Sequence, residues 1–343
     1  MKTTRLTKVI ALAAAATLAG TLSACSSDST SGDAGSSTKL SLVAYSVAKA
    51  GDNAVEKAFA ATDAGKGVTW EESYGASGDQ SRAVVSGLDA DVVHFSLESD
   101  VTRLVDSDLV ASDWNTGATK GILTSSVVVL VVRKGNPKNI QGWDDLIKPG
   151  VQIVTPNPGS SGSARWNILA AYGHVLANGG DDATATEFLT NVYKNIVALP
   201  GSGRDATTAF TGGTGDVLLS YENEAILGRQ QGEDYDYVVP DDTLLIENPA
   251  AVTKDADPKA KAFLDYATSA AGQTEYAKVG FRPVVDGVSV QVEGANDPAN
   301  PFPTPNKLET ITDDFGGWPA AAKKFFDEND GIVTKIQAAQ GKA

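Results

Sequence analysis

The strongest strand signal in the chain is the run Val127-Val128-Val129-Leu130-Val131-Val132. Five of its six residues are valine, and branching at the β-carbon favours extended backbone over helix. An apolar run without polar alternation is typical of a strand that is covered on both faces, as in parallel sheets. The run therefore predicts a central, fully buried strand.

Shorter segments on either side of this run alternate between strand and helix character. The strand-like segments are residues 40–45, 68–74, 90–96, 151–154, 196–199, 216–220 and 235–239. The helix-like segments are residues 53–61, 79–88, 164–177, 204–210, 259–268, 272–279 and 319–326. Strands that alternate with helices at this spacing predict an α/β fold with mostly parallel sheets.

The length of 343 residues, of which 42% are hydrophobic, suits two α/β lobes better than one. We expect the chain to pass between the lobes near residues 131 and 240. One lobe then contains residues 39–130 and 240–343, and the other contains residues 131–239.

Composition excludes several kinds of partner and site. The formal charge is -15 and the isoelectric point is near 4.5, so the chain lacks the Lys/Arg surface that nucleic acids require. One cysteine excludes a disulfide framework, and one cysteine with two histidines excludes a Cys/His zinc cluster. A metal site would need oxygen ligands alone, and we expect neither a metal nor a cofactor.

The first 24 residues contain, in the usual order, the basic, apolar and small-residue segments of a secretory signal. Three basic residues precede an apolar, alanine-rich segment at residues 9–22, which is too short for a stable membrane span. Its removal changes the formal charge from -15 to about -18. Residues 25–38 are rich in serine, glycine and aspartate and predict a flexible tether.

The only cysteine of the chain lies directly after the signal segment. The sequence Leu22-Ser23-Ala24-Cys25 resembles the bacterial lipobox, in which the cysteine is lipidated and becomes the mature N-terminus. This implies a protein anchored by a lipid on Cys25 to the extracytoplasmic face of the cell membrane. The alternative is an ordinary buried cysteine.

Three turns of small residues each follow a predicted strand and open a predicted helix. They are Gly75-Ala76-Ser77-Gly78-Asp79-Gln80, Pro158-Gly159-Ser160-Ser161-Gly162-Ser163 and Gly201-Ser202-Gly203-Arg204. The first turn of a helix has unpaired N–H groups, glycine lets an anion approach the backbone, and serine adds a hydroxyl donor. Such turns at the carboxyl ends of strands predict an anion site built from neutral donors. The alternative is that each turn is only a well-capped helix start, with Ser77 as N-cap and Gln80 as its capping-box partner.

None of these turns carries the residues of a known catalytic motif. The Lys-Ser/Thr ending of a phosphate P-loop is absent, and so is the Gly-x-Ser-x-Gly nucleophile elbow. His94 lies in an apolar strand and His174 in an apolar helix, so both are expected to pack in the interior. A secreted hydrolase that uses Ser77 or Ser161 would therefore lack a base, and a binding protein that is not an enzyme is favoured.

Six groups of motifs occur in a fixed order along nearly all of the mature chain. They are Ser73-Tyr74-Gly75-Ala76-Ser77-Gly78, Asn136-Pro137-Lys138 with Trp143-Asp144-Asp145-Leu146, Thr155-Pro156-Asn157-Pro158 with Ala164-Arg165-Trp166-Asn167, Gly215-Asp216-Val217-Leu218 with Glu222-Asn223-Glu224-Ala225, Gly280-Phe281-Arg282-Pro283, and Phe315-Gly316-Gly317-Trp318. In these motifs the chain resembles the sulfate-binding proteins of ABC importers, within the wider sulfate, thiosulfate and molybdate group. The resemblance implies the two-lobed periplasmic-binding-protein fold of type II, with the ligand in a cleft between the lobes.

The resemblance also implies which residues hold the anion through N–H and O–H groups. They are Ser46, Ser77, Ser161, Gly162, Ser163, Gly203 and Tyr221. Ser77 and Ser161 are implied to donate hydroxyl groups, and Gly203 its N–H. Three of the seven depart from the family's pattern, because Ser46 replaces an aspartate, Ser163 a glycine and Tyr221 a tryptophan.

Sulfate is the anion that a site built only of donors favours. It carries no proton at neutral pH, whereas the proton of hydrogen phosphate would be left without an acceptor. We rank sulfate first, thiosulfate or molybdate second and phosphate third. The expected role is to deliver the anion to the permease subunits of an ABC importer, as a monomer; a lipid-anchored sensor without transport is the alternative.

Overall fold

The computed structural model describes residues 37–342. The predicted signal segment at residues 1–24, Cys25 and all but the end of the tether predicted for residues 25–38 lie outside the described residues. Within residues 37–342, none of the helices is both long enough and apolar enough to cross a membrane.

The described residues form an α/β structure, as predicted. Its strands are β1 Thr38–Tyr45, β2 Val68–Gly75, β3 Val92–His94, β4 Ile122–Arg133, β5 Ile153–Val154, β6 Ile196–Ala198, β7 Val217–Tyr221, β8 Tyr235–Val238, β9 Asp242–Val252 and β10 Lys307–Glu309. Its helices are α1 Lys49–Phe59, α2 Ser77–Val85, α3 Glu98–Asp106, α4 Gly162–Ala177, α5 Asp182–Asn195, α6 Gly203–Thr211, α7 Glu222–Gln230, α8 Pro258–Ala267, α9 Ala270–Lys278, α10 Ile311–Phe315, α11 Trp318–Phe326 and α12 Ile332–Gln340. Two short 3-10 helices cover Ser46–Ala48 and Trp143–Ile147.

The strands form one mixed sheet in the order β2-β1-β3-β9-β4-β7-β5-β6, with β10 beside β9 and β8 beside β4. At one end β1 is parallel to both β2 and β3, and at the other β5 is parallel to both β6 and β7. In the middle, β9 is antiparallel to β3 and β4, and β4 is antiparallel to β7 and β8. The parallel arrangement predicted from the sequence therefore holds at the two ends of the sheet, whereas in its middle, among the described strands, only β10 is parallel to its partner, β9.

Strands β4 and β9 join the two ends of the sheet. β4 pairs with β9 over residues 122–127 and with β7 and β8 over residues 128–133. β9 pairs with β4 over residues 245–249 and with β3 over residues 250–252. The valine run is buried throughout, as predicted, but the strand that contains it is twice as long as the run, at 12 residues.

Several of the sequence motifs meet in the core. Trp166 on α4 stacks edge to face on Trp318 at the start of α11, with ring centroids 4.7 Å apart. Glu222 at the start of α7 is fully buried, and its two carboxylate oxygens accept hydrogen bonds from Arg282 at 2.7 and 3.0 Å. These motif residues therefore hold distant parts of the chain together.

Glu309 on β10 is a buried carboxyl group whose protonation should change the stability of the fold. Its carboxylate lies against Gly173 of α4, and its Oε2 has no hydrogen-bond partner among the described residues. Burial, helped by Asp314 and Asp242, raises the pKa of Glu309 from 4.5 to about 7. The folded state therefore holds this proton more tightly than the unfolded chain, so its stabilising effect is present below pH 4.5 and is lost as the pH rises to about 7.

We expect Glu309→Gln to remove this pH dependence, because glutamine does not titrate. At pH 8 the variant should gain about 1–2 kcal/mol in the free energy of unfolding over the parent protein, and at pH 4.5 it should gain little. Denaturant unfolding at both pH values measures the difference, with the exposed Glu293→Gln as control. A variant that tracks the parent protein at both pH values would show that burial does not raise the pKa of Glu309.

Candidate functional site

A small cavity lies where the carboxyl ends of several strands meet. Its lining consists of residues 45–47, 75–77, 161–163 and 202–203, together with Ser96. About 180 Å³ of space between atoms lies here, part of it open to solvent. Every described residue of the lining is neutral, and the position is the one at which α/β sheets bind ligands.

Six of the seven residues that were predicted to hold an anion line this cavity. They are Ser46, Ser77, Ser161, Gly162, Ser163 and Gly203. The seventh, Tyr221, is fully buried behind the lining, and its hydroxyl lies 2.7 Å from Oγ of Ser96. The structure brings all seven residues around one space, and their role as ligands stays a prediction.

Three helices begin at the cavity. Helix α2 begins at Ser77, α4 at Gly162 and α6 at Gly203. The N–H groups in the first turn of a helix have no carbonyl partner within the helix, and they lie at the positive end of its dipole. Three such turns around a neutral cavity form a concentrated set of donors for an anion.

The predicted capping box at α2 is wrong. The N-cap of α2 is Ala76, and Ser77 is the first helical residue. The Ser77 hydroxyl donates to the Asp100 carboxylate at 2.6 Å and accepts from the Ser96 N–H at 2.9 Å. Its proton is directed to Asp100, so the expectation that this hydroxyl donates to an anion does not fit the structure. That Ser77 holds the anion stays a prediction, for which its backbone N–H is the remaining donor.

The two serine N-caps at the cavity differ in how their hydroxyl groups are used. Ser202, the N-cap of α6, accepts a hydrogen bond from the Asp205 N–H at 3.1 Å. Ser161 is the N-cap of α4, but its side chain makes no capping hydrogen bond, although it is 3% exposed. The Ser161 hydroxyl is therefore not used for capping, and its role as a donor to the anion stays a prediction.

Two glycines permit the close packing around the cavity. A β-carbon on Gly162 would lie 2.5 Å from Oγ of Ser96, and one on Gly203 would lie 2.9 Å from the side chain of Val47. Both distances are shorter than real β-carbon contacts. Residues 162 and 203 therefore need to be glycine for the first turns of α4 and α6 to reach residues from the other end of the sheet.

Carboxylates are kept out of the cavity. Asp79, one turn from Ser77, pairs with Arg82 and lies in the wider cleft outside. Asp100 lies behind Ser77 and pairs with Arg103 at 2.9 Å. Burial raises the pKa of Tyr221 well above its usual range, so its phenol stays protonated and able to donate. The groups that reach the cavity from side chains are therefore hydroxyls.

His94 packs in the interior, in agreement with the prediction, whereas His174 is partly exposed. His94 is fully buried, with Nδ1 2.9 Å from Asp52 and Nε2 3.0 Å from Thr124. His174 lies 2.7 Å from Asp242. Neither histidine contacts a serine of the cavity, and in residues 37–342 there is no group of three acidic, histidine or cysteine residues that could hold a metal ion.

A wider cleft leads to the cavity. It encloses about 1290 Å³, including open space at its mouth, and it shares Ser46, Gly75, Ala76 and Ser202 with the cavity lining. Lys49 and Arg204 lie on its walls. Asp79 and Asp205 lie on the same walls, so the charges of the described lining residues balance.

Over most of its length, the chain is similar to known solute-binding proteins. Residues 42–282 match the family described as bacterial extracellular solute-binding protein. A sulfate-binding protein from Synechococcus elongatus is 41% identical over 93% of each chain, and a thiosulfate-binding protein from Pseudomonas aeruginosa is 36% identical over 79% of this chain and 83% of its own. Among solved structures, the sulfate-binding protein SubI from Mycobacterium tuberculosis H37Rv is 45% identical with a TM-score of 0.79, over 84% of this chain and 100% of its own.

Proposed function

The chain belongs to the bacterial extracellular solute-binding proteins, and from that premise we propose that it captures sulfate outside the cytoplasm and delivers it to an ABC importer. The observation that carries the proposal is the neutral cavity at which α2, α4 and α6 begin. The chain has the two-lobed, type II fold of periplasmic binding proteins. A protein of this kind binds its ligand and releases it unchanged, so the proposed activity is not enzymatic.

The chemistry of the cavity favours a fully deprotonated oxyanion. Sulfate offers acceptors on all four oxygens, and the cavity offers N–H and O–H donors without a carboxylate among its lining residues. An anion that carries a proton would leave that proton without a strong acceptor, which costs about 1–3 kcal/mol or more. Neutral donors with fixed positions hold a dianion without a neighbouring cation.

We expect calorimetry at pH 7 to show sulfate binding at least tens of fold more tightly than phosphate, because of the unpaired-proton cost of about 1–3 kcal/mol or more. The titration should use protein that has been unfolded, dialysed and refolded to remove any anion already bound. Equal affinities for the two anions would contradict a site built of donors and would bring an acceptor such as Asp79 or Asp100 into the site.

Thiosulfate is the second candidate ligand. The relative from Pseudomonas aeruginosa, a thiosulfate-binding protein, supports it, although that relative is less similar than the one from Synechococcus elongatus. Thiosulfate is also a tetrahedral dianion without a proton, and molybdate shares that shape with longer bonds. Competition of each anion against labelled sulfate ranks the three; a preference for either competitor would reassign the ligand within the same site.

The lobe boundaries near residues 131 and 240 remain our proposal. Strand β4 changes partner from β9 to β7 and β8 between residues 127 and 128, and β9 begins at Asp242. Both places are close to the proposed boundaries. Distances between pairs of spin labels, measured with and without sulfate, test them: a change within residues 131–239 as large as the change between the two proposed lobes would contradict the boundaries.

Anchoring through Cys25 is also our proposal, and it rests on the position of Cys25 after Leu22-Ser23-Ala24. A lipid on this cysteine would keep the protein close to its permease on the outer face of the cell membrane, where we propose that it acts as a monomer. Mass spectrometry of protein extracted from membranes should find a lipid-modified Cys25 as the first residue. A mature chain that begins elsewhere, or an unmodified Cys25, would contradict the anchor and leave a secreted sulfate-binding protein or sensor.

A further inference from the structure

Ser96 occupies a central position in the cavity wall that the sequence analysis did not single out. It follows β3, at the end of the sheet that contains β1 and β2. Its N–H donates to Oγ of Ser77 at 2.9 Å, and its carbonyl accepts from Nε1 of Trp166 at 2.9 Å and from Nδ2 of Asn248 at 3.1 Å. The backbone of Ser96 is therefore fixed from three directions.

The side chain of Ser96 is fixed by residues from the opposite end of the sheet. Its Oγ lies 2.7 Å from the Tyr221 hydroxyl at the end of β7, and it has no other hydrogen-bond partner among the described residues. Gly162, in the first turn of α4, packs so closely on this side chain that a β-carbon would lie 2.6 Å from Cβ of Ser96. The hydroxyl therefore lies between Tyr221 and the cavity, beside one of the helix starts.

The number of protons on the Ser96 and Tyr221 hydroxyl groups determines how many hydrogen bonds these two residues can donate to a ligand. Two hydroxyl groups joined by one hydrogen bond use one proton between them and keep one free. A phenol is a stronger donor than an aliphatic hydroxyl, so Tyr221 donates to Ser96 when an anion occupies the cavity. The hydroxyl proton of Ser96 is then free to form a hydrogen bond to the anion. The hydrogen bond that Ser96 accepts from Tyr221 polarises its hydroxyl and strengthens the bond that it donates to the anion.

We propose that Ser96 donates its hydroxyl directly to the bound oxyanion and that Tyr221 is a positioning residue, which acts on the anion only through Ser96. The proposal rests on the proposed function, since it concerns the same cavity and ligand. It adds Ser96 to the ligand residues. It also changes the role of Tyr221, which the resemblance implied to be a direct donor.

A double-mutant cycle tests the proposal, with sulfate affinity measured by calorimetry on the mature protein. Ser96→Ala should weaken sulfate binding about tenfold, because it removes one hydrogen bond to a charged acceptor. Tyr221→Phe should weaken it about threefold, because the Ser96 hydroxyl remains but is no longer oriented. The double variant should bind as weakly as Ser96→Ala alone, since Tyr221 has no separate contact with the anion.

Two results would overturn the proposal. Losses that multiply in the double variant would show that Tyr221 contacts the anion by itself, and unchanged affinity in Ser96→Ala would show that its hydroxyl is not a ligand. Failure of the parent protein to bind sulfate would instead contradict the proposed function. If Ser96→Ala does not fold, Tyr221→Phe alone tests the proposal. A Tyr221→Phe variant that binds sulfate as tightly as the parent protein would reject the positioning role of Tyr221.

A control variant separates binding from folding. Thr243 on β9 is also fully buried, and its hydroxyl donates to the carbonyl of Val128 at 2.7 Å, away from the cavity. Thr243→Val should lower the melting temperature without ligand and leave sulfate affinity unchanged. If Ser96→Ala behaves in the same way as this control, its role is structural and the proposal is rejected.

Discussion

Replacement of Arg282 by methionine should lower the free energy of unfolding by about 3–5 kcal/mol, because it leaves a buried carboxylate without its partner. Arg282 binds both carboxylate oxygens of Glu222, which is fully buried, and it also donates to the carbonyl of Pro303 at 3.0 Å. Burial raises the pKa of Glu222, and Arg282 opposes the shift. A fall of about 6–15 °C in the melting temperature is the expected result by calorimetry.

Two further variants show whether the missing partner is the cause. The double variant Arg282→Met with Glu222→Gln should regain part of the lost stability, because the buried site is then neutral. Lys261→Met removes an ion pair with Asp265 in which the side chains are 72% and 64% exposed, and its expected cost is about 0–1 kcal/mol. Equal losses from Arg282→Met and Lys261→Met would contradict a special role for the buried pair.

Replacement of Ser161 by alanine should weaken sulfate binding by roughly 10- to 150-fold, which corresponds to about 1.5–3 kcal/mol for one hydrogen bond to a charged acceptor. The Ser161 hydroxyl lines the cavity and makes no capping bond within α4. The melting temperature without ligand should therefore change little. Titration calorimetry gives the affinity, and thermal unfolding without sulfate gives the stability.

The matched control for Ser161 is a serine that does cap a helix. Ser269 is the N-cap of α9, and its hydroxyl accepts from the Gly272 N–H at 3.3 Å, far from the cavity lining. Ser269→Ala should lose about 1 kcal/mol of stability and keep full sulfate affinity. If Ser161→Ala shows the pattern expected of Ser269→Ala, Ser161 is only a helix cap.

The sequence was most informative where local chemistry decides the structure. The valine run became the core of β4 because a stretch without polar residues can only be buried. Strand β9 was missed, since Glu247, Asn248 and Pro249 interrupt its apolar pattern; Asn248 is accommodated because its side chain donates to Ser96 across the sheet. Helix α7 was missed because it begins at Glu222, directly after β7, without the small-residue turn that marks the other helix starts.

In the candidate site too, features with a local sequence signature could be predicted, whereas features that depend on contacts between distant parts of the chain could not. The three small-residue turns could be found because helix N-termini have a local signature, and all three reach the cavity. Ser96 could not be found, because it becomes a lining residue only when β3 is placed in the sheet and α4 packs on it. The role expected of the Ser77 hydroxyl changed for a similar reason: its partner, Asp100, lies 23 positions further along the chain.

The pairing of β4 with β9 has a mechanical consequence. These two strands hydrogen-bond to each other over residues 122–127 and 245–249 before each continues into a different end of the sheet. We expect rotation of one end against the other to twist this two-stranded ribbon, because both strands run from one end of the sheet into the other. A two-stranded ribbon accommodates twist more readily than bending within its plane. Opening the cavity would therefore cost twist in backbone-paired strands as well as the side-chain contacts that cross it, such as those of Ser96 with Tyr221 and Trp166.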